Sequence, residues 1–196
     1  MAPNRHARRP GSSNRLRIIG GRWRGRRLSF PDAPGLRPTA DRVRETLFNW
    51  LQTRLPGARV LDAYAGSGAL GFEAASRGAA EVLMLERDPR VVAALERSRA
   101  ELGAEAVRIR RGNALQRLAQ PTETPWDIVF LDPPFGQDLA HKSLSAIRES
   151  GALAPEGLVY LEVEAGLDLA PLLDDWTVLR DKRAGEVRYL LLSLPS

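Results

Sequence analysis

The chain has 196 residues, 43% hydrophobic and 27% charged, with no cysteine and a net charge of +5. This length suits one domain with a short extension, and the missing cysteine excludes disulfides, thiolate metal sites and a cysteine nucleophile. No apolar run approaches the roughly 20 residues that span a bilayer. The arginine-rich start has no apolar stretch behind it and so does not read as a secretory signal. A cytoplasmic protein with no membrane partner is expected.

The charge is unevenly placed. Residues 1–27 hold nine arginines (5, 8, 9, 15, 17, 22, 24, 26 and 27) and no acid, while the remainder carries −4. A basic block on a mildly acidic body marks an arm for a polyanion, nucleic acid above all. Residues 1–14 mix Pro, Gly, Ser, Asn and Arg without periodicity, the composition of a disordered tail. Apolar runs at Leu16–Ile19 and Arg26–Phe30, around Gly20, Gly21 and Gly25, predict a small hairpin. Pro31, Pro34, Gly35 and Pro38 mark a loop. The hairpin and loop together cover residues 15–38, ahead of a main domain over 39–196. Thr39 is a good N-cap, with Val43, Leu47, Trp50 and Leu51 at helical spacing after it. They predict a helix ending before Pro56.

From there strands and helices alternate. Strands are expected at Val60–Asp62, Glu81–Glu86, Val107–Ile109, Trp126–Leu131 and Leu158–Val163. Helices are expected at Ala69–Arg77, Pro89–Leu102, Asn113–Leu118 and Leu139–Ser150. This order predicts an α/β protein whose mostly parallel sheet is covered on both faces. The strand-like runs Trp176–Asp181 and Val187–Leu194 have no helix between them. They predict an antiparallel C-terminal hairpin at the sheet edge.

The segment Asp62-Ala63-Tyr64-Ala65-Gly66-Ser67-Gly68-Ala69-Leu70-Gly71 joins a strand to a helix. Gly66 and Gly68 allow backbone angles closed to other residues and let a ligand approach the main chain. Their spacing with Gly71 matches the dinucleotide fingerprint, and Glu86 stands 20 residues after Gly66, placed to accept hydrogen bonds from ribose hydroxyls. The loop alone does not choose the ligand, since nicotinamide-dependent dehydrogenases use the same physics. Two details favour S-adenosylmethionine. Asp62 would repel the pyrophosphate of a dinucleotide but can meet an amino acid moiety. Asn113 and Ala114 follow the third strand, where a side-chain amide can read an adenine edge; an N-cap role for Asn113 explains it equally well.

Asp127 to Phe135 carries the second signal. An apolar strand delivers Asp132 at its C-terminal end, followed by Pro133, Pro134 and Phe135. Both prolines lack an N–H and fix φ, which stiffens the loop. The Asp132 carboxylate and the Pro133 carbonyl can each accept one N–H of a flat amino group, and Phe135 can stack on the base that carries it. The arrangement suits methyl transfer to an exocyclic nitrogen, with no metal required.

These motifs resemble the class I S-adenosylmethionine-dependent methyltransferases, whose fold is a Rossmann-like doubly wound sheet. More closely, the chain resembles the bacterial 16S rRNA guanine-N2 methyltransferase family. The likeness covers roughly residues 15–194. It rests on Arg17 to Gly25, Leu36 to Trp50, Asp62 to Gly71 and Asp132 to Phe135. It implies methylation of N2 of one guanine in 16S rRNA. The expected partner is that RNA within a 30S subunit or an assembly intermediate, and a monomer is the default state. The likeness further implies a cofactor site of Asp62, Ala63, Tyr64, Ala65, Gly66, Ser67, Gly68, Glu86, Arg87, Asn113 and Ala114, with Arg42 and Arg44 facing it. Asp132, Pro133, Pro134 and Phe135 would hold the base, and Arg22, Trp23, Arg24 and Arg37 would touch RNA. Trp23 serves as well to close the hairpin's apolar face.

Three rival functions exist. DNA adenine-N6 or protein glutamine methyltransferases use related loops but carry substrate-recognition regions that 196 residues barely accommodate. A nonenzymatic RNA-binding protein has no use for Asp132 and Glu86. A dinucleotide oxidoreductase leaves Asp132 to Phe135 unexplained.

Overall fold

The computed structural model describes residues 14–33, 36, 39–136 and 138–195. Residues 1–13 of the predicted basic tail, and Pro34, Gly35, Arg37 and Pro38 of the proline-marked loop, lie outside them. Two sheets form. The small one pairs β1 (Asn14–Arg17) with β2 (Arg27–Phe30) antiparallel, joined through a 3-10 turn at Gly21–Trp23.

The large sheet contains β3 (Arg59–Asp62), β4 (Glu81–Glu86), β5 (Val107–Arg111), β6 (Trp126–Leu131), β7 (Leu153–Glu164), β8 (Thr177–Ala184) and β9 (Val187–Ser193). Their spatial order is β5-β4-β3-β6-β7-β9-β8. The first five strands run parallel, and β9 lies antiparallel between β7 and β8. The helices are α1 (Asp41–Trp50), α2 (Ala69–Ser76), α3 (Pro89–Leu102), α4 (Ala114–Leu118), α5 (Leu139–Ser150) and α6 (Ala170–Leu173). The doubly wound architecture with an antiparallel C-terminal hairpin is the one read from the sequence.

Side-chain alternation along the strands divides the core in two. Val60, Val82, Met84, Ile128, Phe130 and Tyr160 pack toward α1, α2, α3 and the small hairpin. Their neighbours Leu61, Leu83, Leu85, Val129, Leu131 and Leu161 pack toward α4, α5 and the α6 region. A central parallel strand is covered on both faces, so it reads as a continuous apolar run. The edge strand β8 is exposed along nearly its whole length, whereas Leu190, Leu191 and Leu192 of β9 are buried.

An aromatic series fixes α1 over one face. Phe48 meets Phe130 edge-on at 6.0 Å, Phe130 meets Tyr160 at 6.2 Å, and Trp50 stacks on Tyr189 at 5.5 Å. Trp126 and Trp176 are buried, as expected of core residues. The short α6 has no counterpart among the predicted elements; it is a single turn, too brief to show periodicity.

The small hairpin is bolted to α2 rather than trailing from the domain. Ile19 and Gly20 donate their backbone N–H groups to the Glu73 carboxylate at 2.8 and 2.7 Å, and Trp23 donates its own to Ser76 Oγ at 3.0 Å. Gly21 has φ +74°, and a Cβ there would lie 1.9 Å from the Ser76 carbonyl oxygen. Only glycine permits both that angle and that approach.

Candidate active site

β3 is flanked by β4 on one side and β6 on the other, so the chain winds outward in both directions from this point. Ligands of open α/β sheets bind beyond the strand C-termini at such a switch. Asp62, Glu86, Asp132 and Glu162 all stand at the C-terminal ends of neighbouring strands there.

The glycine loop closes tightly over the end of β3. Gly68 has φ +81°, and a Cβ on it would meet Phe72 at 2.6 Å and Leu95 at 2.8 Å. A Cβ on Gly71 would strike Met84 at 2.9 Å, so its absence lets α2 sit close to the sheet. Asp62 is buried and accepts the Gly71 N–H at 3.0 Å. Burial pushes its carboxyl up to about 7; the Glu86 charge adds to this, and hydrogen bonds from Gly71 and Tyr64 oppose it. Glu86 accepts N–H bonds from Gly66 at 3.2 Å, Arg87 at 2.7 Å and Asp88 at 2.8 Å. It therefore braces the glycine loop from across the strand gap. Tyr64 shares a 2.8 Å hydrogen bond with Ser143 of α5, while Ala63, Ala65 and Ser67 are buried. Asn113 is exposed and caps α4 through a bond from the Gln116 N–H at 3.2 Å. Ala114 is buried beside it, and Arg87 is exposed.

Asp132 leaves the end of β6 half-buried, Pro133 is buried, and Pro134 is exposed. Phe135 is 46% exposed, one of few large apolar side chains so placed. An exposed aromatic on a stiff loop beside a carboxylate offers a stacking surface at little burial gain, the opposite of a core role. The Asp132 carboxyl is held well above the usual carboxylate range by burial, then by the charges of Glu162 and Asp62; a hydrogen bond from Thr39 opposes this.

Two residues outside the sequence-derived site belong to this cluster. Thr39 does not cap α1, whose N-cap is Ala40. Its hydroxyl instead donates to Asp132 Oδ2 at 3.4 Å. Glu162 is only 4% exposed and accepts the Tyr160 hydroxyl proton at 2.7 Å. Burial raises its carboxyl, while the Tyr160 and Thr39 hydroxyls work against that rise. The signal was present in the sequence as an acid closing the strand after Asp132's strand. Strand adjacency, which makes it count, was not.

Two expectations are corrected. Arg44 does not face the cofactor side. It is fully buried, with Nε on the Thr39 carbonyl at 3.2 Å, both terminal nitrogens on the Arg17 carbonyl at 3.0 Å, and Asp41 at 2.6 Å. A further ion pair joins it to Glu73 at 3.6 Å. It locks the hairpin to α1. Trp23 is buried in the core at 7% exposure and cannot stack on a base; Arg22 covers its ring at 4.8 Å. Arg22 and Arg24 around it are exposed, as is Arg42 at the start of α1.

Residues 16–193 match the family described as Conserved hypothetical protein 95. The chain is 49% identical over 181 residues to the ribosomal RNA small subunit methyltransferase D of Escherichia coli, covering 91% of this chain and 90% of that one. It is 43% identical over 187 residues to the protein of the same name from Haemophilus influenzae, covering 93% and 95%. A solved Escherichia coli structure with a provisional methyltransferase description is 44% identical; it superposes with a TM-score of 0.84 over 92% of this chain and 98% of that one.

Proposed function

The chain belongs to the family described as Conserved hypothetical protein 95, and on that premise we propose that it is an rRNA methyltransferase that methylates the exocyclic N2 of a guanine in small-subunit ribosomal RNA. Relatives of matching length carry the small-subunit rRNA methyltransferase name. The carrying observation is that Asp132 and its stiff proline loop leave β6 beside the glycine turn that leaves the adjacent strand, β3. The carboxylate-rich pocket, in which Asp62, Asp132 and Glu162 form no ion pair among the described residues, fits a cationic ligand, and the glycine cradle fits one that lies against the main chain.

S-adenosylmethionine, when bound, supplies a methyl group on a positive sulfonium. Asp62, the Gly66–Gly68 turn and Glu86 are the residues that would hold it, with Ala114 lining the adenine end. Phe135 stacks on the target base, Asp132 and the Pro133 carbonyl orient its amino group, and alignment supplies most of the rate gain. The substrate is a small subunit or its assembly intermediate, with Arg22, Arg24 and Arg42 placed to meet phosphate.

The deciding experiment is transfer of tritiated methyl groups to small subunits from a strain lacking the gene, followed by nucleoside analysis. Label in N2-methylguanosine is the expected result. Label in any other nucleoside, or none, overturns the reading.

A further inference from the structure

Leu131 pairs with Leu161 in the parallel ladder of β6 and β7. Asp132 and Glu162 are the next residues on the two strands. They therefore stand side by side on one face, about 5 Å apart at the backbone. The groups facing Glu162 are Tyr160 on its own strand, Tyr189 opposite it on β9, Asp132 on β6 and Thr39 ahead of α1. None of these is a cation. Lys182, one strand further out, sits 6.0 Å from the Trp50 ring instead.

We propose that Glu162 is a positioning residue for methyl transfer: it shares one proton with Asp132 and takes up, by way of the Thr39 hydroxyl, the proton that the target amino group gives up. The proposal rests on methylation of an amino nitrogen at this site. As the nitrogen forms its bond to the methyl carbon, the methyl–sulfur bond breaks and its electron pair stays on sulfur. The nitrogen, now positive, loses one proton to the free oxygen of the Asp132 carboxyl. The proton that Asp132 already holds passes to the Thr39 hydroxyl oxygen as Thr39 gives its own to Glu162, so the charge does not remain beside the product.

The geometry gives each group one part. Two adjacent carboxylates, Glu162 buried and Asp132 half-buried, resist double ionisation and so titrate as a pair. The Tyr160 hydroxyl is held in its protonated form, since burial and the Glu162 charge both raise it. It therefore donates steadily to Glu162 and keeps the negative charge there in the resting pair. Asp132 can then turn an oxygen to the amino group without carrying a second full charge into the pocket. Asp62, buried on β3 opposite Phe130 and so two residues behind Asp132, adds a like charge. That makes the pair readier to accept a proton.

The test uses Glu162→Gln, Glu162→Asp and Tyr160→Phe in the full chain. Asp132 is followed first by carboxyl carbon NMR, with S-adenosylhomocysteine bound and no RNA. Glu162→Gln should lower its midpoint by about one pH unit or more, and Tyr160→Phe, which frees Glu162 to take the shared proton, should lower it by a smaller amount. In single-turnover transfer to small subunits, the acid limb of the Glu162→Gln profile should shift down in step. The plateau rate should fall by at least about tenfold, and Glu162→Asp should restore most of it. Affinity for S-adenosylhomocysteine should stay within about twofold, which marks intact folding. A midpoint for Asp132 identical in wild type, Glu162→Gln and Tyr160→Phe overturns the proposal. Because the titration needs no RNA, a moving midpoint in a protein that leaves guanine untouched would count against the proposed reaction and not against the coupling.

Discussion

Two buried acids in this protein have opposite surroundings. Glu73, fully buried on α2, meets two backbone N–H groups, Arg77 at 2.7 Å and Arg44 at 3.6 Å. Its charge is answered from four sides. Asp62, equally buried on β3, has a backbone N–H from Gly71 but a like charge nearby in Glu86. Asp132 and Glu162 beside it repeat the pattern. A buried charge that is fully paired holds structure together. A crowded group of carboxylates raised by burial first, and for Asp62 and Asp132 by neighbouring like charge as well, is instead stored unfavourable energy, released when a cation arrives. The hairpin lock and the active site are thus built from the same residue type with reversed electrostatics.

The largest effect should come from Asp132→Ala, which takes the acceptor from the target amino group. Methyl transfer should fall by about 10³-fold or more in single-turnover assays, with S-adenosylhomocysteine binding by calorimetry retained. Turnover near wild type would remove the active-site half of the comparison. Next, Glu73→Ala takes from buried Arg44 one of its two carboxylate partners and from Ile19 and Gly20 the acceptor of their N–H groups, and should cost about 3–5 kcal/mol in denaturant unfolding.

Asp62→Asn should do the reverse. A carboxyl raised in the fold from 3.8 to about 7 costs the empty protein stability as pH rises from 4 to 7, because the unfolded chain ionises first. At pH 8 the variant should therefore be more stable than wild type by about 1–4 kcal/mol. Its unfolding free energy should also be flatter between pH 4 and pH 8. If Asp62→Asn and Glu73→Ala changed stability in the same direction, the proposed contrast between paired and crowded acids would be wrong.

Gly21→Ala forces a side chain into a left-handed angle and against the Ser76 carbonyl. About 1–3 kcal/mol of destabilisation is expected, visible as a lowered melting temperature, and smaller than the loss of Glu73 itself. The smallest effect lies outside both clusters. Removing residues 1–13 deletes Arg5, Arg8 and Arg9. It should leave melting unchanged and flatten the salt dependence of RNA binding by up to roughly three units of slope.

Much of the site could be read along the chain because its signals are local. Gly66, Gly68 and Gly71 announce a tight strand-to-helix turn, and Asp132-Pro133-Pro134-Phe135 announces a stiff acidic one. Each works through its own backbone. The parallel sheet was legible for the same reason, since alternating apolar runs and helical periods are properties of short windows. Arg44 was misjudged because its helix position alone says nothing about what arrives on top of it. The hairpin's Arg17 carbonyl and α2's Glu73 come from elsewhere in the chain. Trp23 likewise sits among arginines in sequence but against α2 in space.

The sequence by itself determined the strand–helix order, the two loops that do the chemistry and the basic character of the first 27 residues, all of which follow from neighbours within a few positions. Only the tertiary structure decided that Glu162 stands beside Asp132, that Thr39 reaches across to it, and that Glu73 gathers Arg44, Arg77 and the hairpin. Those outcomes depend on the β6–β7 register and on docking between elements 27 to 123 positions apart. Burial and charge pairing are set by what meets in space, and no local window of residues contains that information.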